Sequence, residues 1–74
     1  MALTLKISAR NTLKGKITEV TKGATTAHIV LDMGNGNTLT SSITNEAVEE
    51  LSLKVGDTAY AVVKASDVMI AKDQ

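Results

Sequence analysis

Short runs of alternating apolar and polar residues constrain the fold of this chain more than any other feature. Leu3, Leu5 and Ile7 alternate with polar side chains. A period of two is that of a β-strand with one buried face. The same pattern and its turn signals predict further strands, which are residues 13–21, 27–32, 38–43 and 58–64, and a last short strand at residues 68–71. The predicted fold class is therefore all-β.

Turn signals and one change of period separate these strands. Residues 34–37 read Gly-Asn-Gly-Asn, which predicts a tight hairpin because both residue types tolerate positive φ. Gly15, inside a strand, indicates a bulge, a bend or a close approach of two backbones. Thr44 can cap a short helix in which Val48 and Leu51 lie at helical spacing. We therefore expect five or six strands with one short helix between the fourth and fifth.

The length of the chain limits how such a sheet can be closed. Residues 1–74 are enough for a single domain. A sheet of this size must hide its edges, and a small Greek-key barrel of the OB type does so. A domain this small buries only about 60% of its extended-chain surface. Because the chain has no Cys and one His, disulfides and metal clusters cannot stabilise it, so we expect a homo-oligomer.

Composition excludes several classes of partner. The 8 basic and 8 acidic side chains give a formal net charge of zero, and Tyr60 is the one aromatic residue. Neither long-range attraction to polyanions nor stacking of nucleic-acid bases is therefore favoured. No apolar run approaches the ~20 residues of a membrane span, and the N-terminal residues do not resemble a signal peptide. We expect a cytoplasmic protein that binds neither nucleic acid nor membranes.

Two short polar segments combine a cation with a small hydroxyl residue where strands are predicted to end. They consist of Ser8, Ala9 and Arg10, and of Lys64, Ala65 and Ser66. A guanidinium and an ammonium supply charge, while hydroxyl and amide protons supply directed donors, so the segments predict a local site for a small tetrahedral oxyanion. Strict alternation would place Lys64 on an apolar face, where an anion must compensate its burial. The alternative is a Lys64 that extends to the barrel rim.

Other polar residues have more than one interpretation. Thr44 is predicted to cap the helix, and a helix N-terminus is also a natural anion site. Asn11 is expected to hold its loop by side-chain-to-backbone bonds rather than to touch a ligand. His28 has no partner for nucleophilic catalysis, and the sequence contains no phosphate loop or metal-ligand cluster. We therefore expect a protein that is not an enzyme and has no cofactor.

Taken together, these motifs resemble the molbindins (the Mop family), small molybdate-binding proteins built from a single transport-associated OB-type (TOBE) domain. The resemblance runs through nearly the whole chain. Its elements are residues 8–11 with 13–15, Val20 with Gly23, the hairpin at 34–36, Ile43 and Thr44 before Leu51, and residues 53–57 and 63–68. The Ser-Ala-Arg-Asn stretch is the most specific of them.

The resemblance implies a hexamer arranged as a trimer of dimers, with oxyanion sites at subunit interfaces. One class of site lies between the two barrels of a dimer. The residues that correspond to it in this chain are Ser8, Ala9, Arg10, Thr44, Lys64 and Ala65. Some relatives place a serine where this chain has Ala47, so one hydroxyl contact is missing. A second class of site, on the threefold axis, cannot be assigned to residues here.

The function implied by the resemblance is non-catalytic binding of molybdate, and also of tungstate, for storage or buffering inside the cell. Molybdenum then enters as the oxyanion rather than as a protein-ligated metal. Two alternatives stay open. One is an OB-fold module that binds nucleic acid, and the other is an accessory or regulatory assembly domain of a molybdate transport system.

Overall fold

The computed structural model describes residues 11–74 of the chain. In order, its elements are β1 (Asn11–Lys22), β2 (Thr26–Gly34), β3 (Asn37–Thr44), the helix α1 (Asn45–Glu50), β4 (Thr58–Val63) and a 3-10 turn (Ala65–Asp67). The strand predicted at residues 3–8 lies outside the described residues. The predicted hairpin joins β2 to β3, with Asn35 at φ 54° and Gly36 at φ 79°.

The four strands form one antiparallel sheet in the order β3-β2-β1-β4. The long strand β1 changes partner along its length. From Asn11 to Lys16 it pairs with β4, and from Lys16 to Lys22 it pairs with β2, with an irregularity between Ile17 and Glu19. The sheet curls into a half-barrel with one short helix, which confirms the all-β, OB-type class. In the sheet that residues 11–74 form, β3 and β4 are the two edges.

The core lies on the concave side of this curled sheet. Alternate residues of β2 are buried, with Ala27, Ile29 and Leu31 at 0%, 3% and 4% exposure. Ile17 from β1 and Val48 from α1 complete the cluster, at 1% and 3%. The period of two in β2 therefore predicted its buried face correctly. Of the two residues predicted at helical spacing, Val48 is buried in the core, whereas Leu51 follows the helix and is 66% exposed.

Gly15 directly precedes the residues of β1 that pair with β2, and it packs against β2. A Cβ at this position would lie 2.7 Å from Met33 Sδ, 3.1 Å from the Asp32 carbonyl oxygen and 3.2 Å from Leu31 Cβ. Of the interpretations that the sequence allowed, close backbone approach is the correct one.

Gly15→Ala is therefore expected to lower the free energy of unfolding by about 1–3 kcal/mol, because the added methyl overpacks the contact with β2. Urea unfolding at fixed protein concentration measures this change. Lys14→Ala is the matched control, since Lys14 is an exposed neighbour on the same strand. Equal stability of the two variants would contradict the close-approach interpretation.

The short strand predicted at residues 68–71 is absent from the structure of residues 11–74, and this prediction was wrong for a single protomer. Val68 has extended backbone angles, φ −93° and ψ 120°, but Met69 and Ile70 are 93% and 88% exposed. The 3-10 turn at Ala65–Asp67 redirects the chain after β4. An extended apolar segment forms a strand only when a neighbouring strand lies beside it to accept its backbone hydrogen bonds.

Candidate oxyanion-binding site

The segment after β4 presents its polar residues to solvent. Lys64, Ala65 and Ser66 are all exposed, and the Lys64 carbonyl accepts a 2.8 Å hydrogen bond from the Asp67 amide that closes the 3-10 turn. In a single protomer Lys64 is therefore exposed, which agrees with its alternative position at the rim rather than with burial on the face of Val62 and Tyr60. The reason is that β4 ends at Val63, so the alternation does not continue to Lys64. Within residues 11–74 its ammonium forms no ion pair.

The first predicted segment (Ser8, Ala9 and Arg10) lies outside the described residues. The residue that follows it, Asn11, begins β1 and pairs with Val63, the last residue of β4. The Asn11 Nδ2 also donates a hydrogen bond to the Val63 carbonyl oxygen at 3.4 Å. Asn11 thus makes a side-chain-to-backbone bond, as predicted, but from within β1 to β4 rather than within a loop of its own.

Thr44 caps the helix, as its position before Asn45 predicted. Its backbone is extended, with φ −72° and ψ 152°, and its Oγ1 accepts a 3.0 Å hydrogen bond from the Ala47 amide. A hydroxyl that accepts in this way keeps its own proton to donate. The Ala47 amide, in contrast, is already engaged in the cap. It can donate to a bound ion only if the cap bond breaks.

Asn45, which the sequence analysis did not single out, anchors the start of the helix. Its backbone amide donates to the Thr25 carbonyl oxygen at 2.9 Å, and its Nδ2 donates to the Gly23 carbonyl oxygen at 3.0 Å. An exposed ion pair at 3.4 Å between Lys22, the last residue of β1, and Glu49 of α1 also links the helix to this part of the chain. The β1–β2 turn therefore holds Thr44 in place. An asparagine directly after a capping threonine was the available signal, since short amides bond to nearby backbone.

Thr44→Ala is expected to lower the free energy of unfolding by about 1 kcal/mol, because the Ala47 amide loses its acceptor. Thr44→Ser retains the hydroxyl and should stay close to the parent protein. Thermal unfolding of the three proteins at equal concentration measures the difference. Identical stability of Thr44→Ala and Thr44→Ser would show that the cap contributes nothing.

The structure does not bring Thr44 and Lys64 together within one protomer. Thr44 pairs with Thr26 beside the Lys22 end of β1, whereas Lys64 follows Val63 at the Asn11 end. These are the two ends of a strand of 12 residues, in a chain whose longest dimension is 40 Å. Of the candidate residues that the structure describes, Thr44 therefore lies at one end of β1, and Lys64, Ala65 and Ser66 follow β4 at the other.

An apolar cleft, not predicted from the sequence, lies between the edges of β3 and β4. Its volume is about 620 Å³. Ile17, Ile29 and Leu31 line it together with residues of both edge strands, among them Leu39 and Val63. Thr40, Ser41 and Thr58 also line the cleft, but no charged side chain of residues 11–74 does. The cleft therefore lacks the cation that a dianion needs, although it extends to Val63, the residue before Lys64.

Residues 11–74 contain neither a metal-binding cluster nor a membrane-spanning helix. No group of three or more His, Cys, Asp or Glu side chains lies close enough together to hold a metal ion in this part of the chain. None of its helices has the length and apolar character required to span a membrane.

Comparisons with known proteins place the chain among described relatives. Residues 7–70 match the profile of the TOBE domain. A probable molybdenum-pterin-binding protein of Haemophilus influenzae is 48% identical over 89% of this chain and 96% of its own length.

Solved structures give the same result in three dimensions. MopII from Clostridium pasteurianum superposes with a TM-score of 0.84 at 51% identity, over 90% of this chain and all of MopII (100%). A molybdate-binding protein from Sporomusa ovata gives 0.85 at 40% identity, over 92% and 100%. The cytoplasmic molybdate-binding protein ModG, in a form with molybdate bound, gives 0.83 at 45% identity over 88% of this chain and 46% of ModG.

Proposed function

Since the chain belongs to the TOBE-domain family, in its Mop branch of small single-domain proteins, we propose that it binds molybdate without catalysis. The relatives named as molybdate-binding proteins match it over most of its length. The single observation within this chain that carries the proposal is the pairing of Asn11 with Val63. That pair joins the two segments in which the sequence places the cations.

The pairing concerns the residues next to the two cations. Arg10 is bonded to Asn11 and Lys64 to Val63, and Asn11 and Val63 face each other across the β1–β4 ladder. In the proposed site the two long cationic side chains would meet one ion. Hydroxyl and amide donors of Ser8, Ala9, Ala65 and Ser66 would bind its remaining oxygens.

Thr44 joins this site from a second copy of the chain. It lies at the opposite end of β1 from Lys64, so one protomer cannot supply both to one ion. The free proton of its capping hydroxyl can donate to an oxygen of the ion. A site shared between protomers accounts for both positions, and makes ion binding depend on assembly.

The exposed apolar surface of the single protomer supports such an assembly. Met69 and Ile70 lie almost fully in solvent, Leu51 is 66% exposed, and the cleft between β3 and β4 is open and apolar. Covering these surfaces with further copies removes apolar area from water. The homo-oligomer that we propose is a hexamer built as a trimer of dimers.

Ile70→Asp is expected to lower the sedimentation coefficient by weakening the assembly, because a carboxylate would be buried at an apolar contact. Gln74→Asp is the matched control, since it adds the same charge four residues further on at an exposed position. Sedimentation velocity at several protein concentrations compares the two variants. An Ile70→Asp protein that sediments like the control would place residue 70 outside the interface.

Selectivity within the site would come from size and geometry. Molybdate, tungstate and sulfate are all tetrahedral dianions, but sulfate is smaller. A cage whose donors are held at a spacing that matches molybdate and tungstate therefore favours these two larger ions over sulfate. The proposed role is storage or buffering of molybdate and tungstate in the cytoplasm, the compartment named for ModG.

The test of this function is to purify the protein from medium containing molybdate, and to measure its molybdenum content and native mass together. We expect molybdenum to co-purify with a homo-oligomer. Calorimetry should show heats of binding for molybdate and tungstate, and weaker binding for sulfate. A protein without molybdenum and without binding heat would exclude the proposal. A native mass that includes a different protein would favour the accessory-subunit alternative.

A further inference from the structure

The side chain of Asn11 bridges the two chain segments that carry the proposed cations. Its Nδ2 donates to the Val63 carbonyl oxygen at 3.4 Å, between residues 52 positions apart in the sequence. Asn11 directly follows Arg10, and Val63 directly precedes Lys64. One hydrogen bond therefore connects the chain next to one cation with the chain next to the other.

We propose that Asn11 is a positioning residue of the oxyanion site, which holds the Arg10 and Lys64 segments at a set separation without touching the ion. The inference rests on the function proposed above. It adds a residue that neither the implied ligand set nor the sequence motif alone assigns to binding.

The position of this bond in the sheet explains why it matters. Asn11 and Val63 form the last residue pair of the β1–β4 ladder. Pairs at the end of a ladder open more easily than those inside it. Beyond Val63, the chain is held by the 3-10 turn, through the 2.8 Å bond from the Asp67 amide to the Lys64 carbonyl oxygen. The Asn11 bond restrains the opposite side of Lys64, so that the lysine leaves the sheet in one direction.

The surroundings of Asn11 distinguish it from its neighbour on the strand. Asn11 is half-buried, whereas Thr12 is exposed. One N–H of the Asn11 amide is engaged by the Val63 carbonyl, and the second is free within the described part of the chain. Positioning and direct contact with the ion therefore differ in the size of the affinity loss on substitution. Loss of the bond exposes one carbonyl to water at the end of a strand, which affects overall stability little. Loss of a fixed separation between two cations affects binding of the ion more.

The experiment compares Asn11→Leu and Asn11→Ser with Thr12→Val as the matched control. Calorimetry measures the Kd for molybdate and for sulfate, and thermal unfolding reports on the fold. We expect both Asn11 variants to raise the molybdate Kd by about tenfold, the effect typical of residues that orient the groups in direct contact with a bound ion. The ratio of the sulfate Kd to the molybdate Kd should fall, because loosened donors discriminate less by size. Thr12→Val should change neither quantity.

Each other outcome contradicts the inference. A molybdate Kd within about twofold of the parent value in a folded variant would show that the bond does not position the site. Weaker binding with an unchanged sulfate-to-molybdate ratio would indicate a structural role only. A loss as large as that caused by removing Arg10 would make Asn11 a direct ligand. If removal of Arg10 or Lys64 also leaves binding unchanged, the proposed function fails, and not this inference alone. Asn11→Ser, which is smaller and polar, keeps the test valid if Asn11→Leu does not fold.

Discussion

Arg10→Ala is expected to raise the molybdate Kd by about 100-fold, which corresponds to about 2.7 kcal/mol. A guanidinium that donates two parallel hydrogen bonds to one dianion supplies charge and orientation together, and alanine supplies neither. Titration of the variant with molybdate in a calorimeter measures the loss. Arg10→Lys should give an intermediate Kd, because it keeps the charge and loses the planar pair of donors.

The control for this prediction must remove a positive charge elsewhere on the protein. Lys16→Ala does so at an exposed position of β1 that pairs with Thr58, away from the Asn11 end. It should bind molybdate like the parent protein. Equal affinity of Arg10→Ala and the parent protein, with both folded and assembled, would remove the central residue of the proposed site. A similar loss in Lys16→Ala would indicate general electrostatic attraction instead of a local site.

Ile17→Ala is expected to lower the free energy of unfolding by about 2–5 kcal/mol, since it leaves a cavity in the core. Ile17 is 1% exposed and contacts the cluster formed by β2 and α1. Its backbone amide donates to the Asp57 carbonyl oxygen and its carbonyl accepts from the Gly56 amide, both at 2.8 Å, so it also holds the turn before β4. A domain of this length has a total stability of about 4–11 kcal/mol. The Ile17→Ala variant is therefore expected to lose a large part of the total free energy of unfolding.

Urea unfolding followed by circular dichroism measures this loss, at one protein concentration because assembly also stabilises the fold. Leu13→Ala is the matched control, since Leu13 lies on the same strand and face but is 46% exposed. It should lose less than half as much as Ile17→Ala does. Comparable losses in the two variants would mean that the core is not centred on Ile17, or that Leu13 is buried in the assembled protein.

The elements predicted correctly from the sequence depend on local physics. The alternation in β2 predicted its buried residues, the Gly-Asn-Gly-Asn hairpin was predicted from positive φ, and the Thr44 cap was predicted from hydrogen bonding within one helical turn. Each of these depends on neighbours only a few residues away. The prediction for residues 68–71 failed because a strand also needs a partner, and residues 11–74 of one protomer supply none.

For the candidate site too, the sequence indicated the chemistry but not the spatial arrangement. Residue types alone indicated an oxyanion site, because Arg10, Lys64 and the small hydroxyl residues carry the charge and donors that such an ion needs. The spatial arrangement was not accessible in this way. The sequence left two positions open for Lys64, the face of Val62 and Tyr60 or the rim, and only the fold shows that it is exposed after the end of β4. The bond from Asn45 to the Gly23 carbonyl was not predicted at all.

The order of residue types was thus sufficient to define strands, turns, a helix cap and the chemical character of the ligand, since each follows from side-chain volume, charge and local backbone preference. Three features required the folded chain. They are the pairing of Asn11 with Val63, the separation of Thr44 from Lys64 along β1, and the open cleft between β3 and β4. These depend on which distant segments share backbone hydrogen bonds, and on how far the sheet curls. Both are set by the packing of the whole domain.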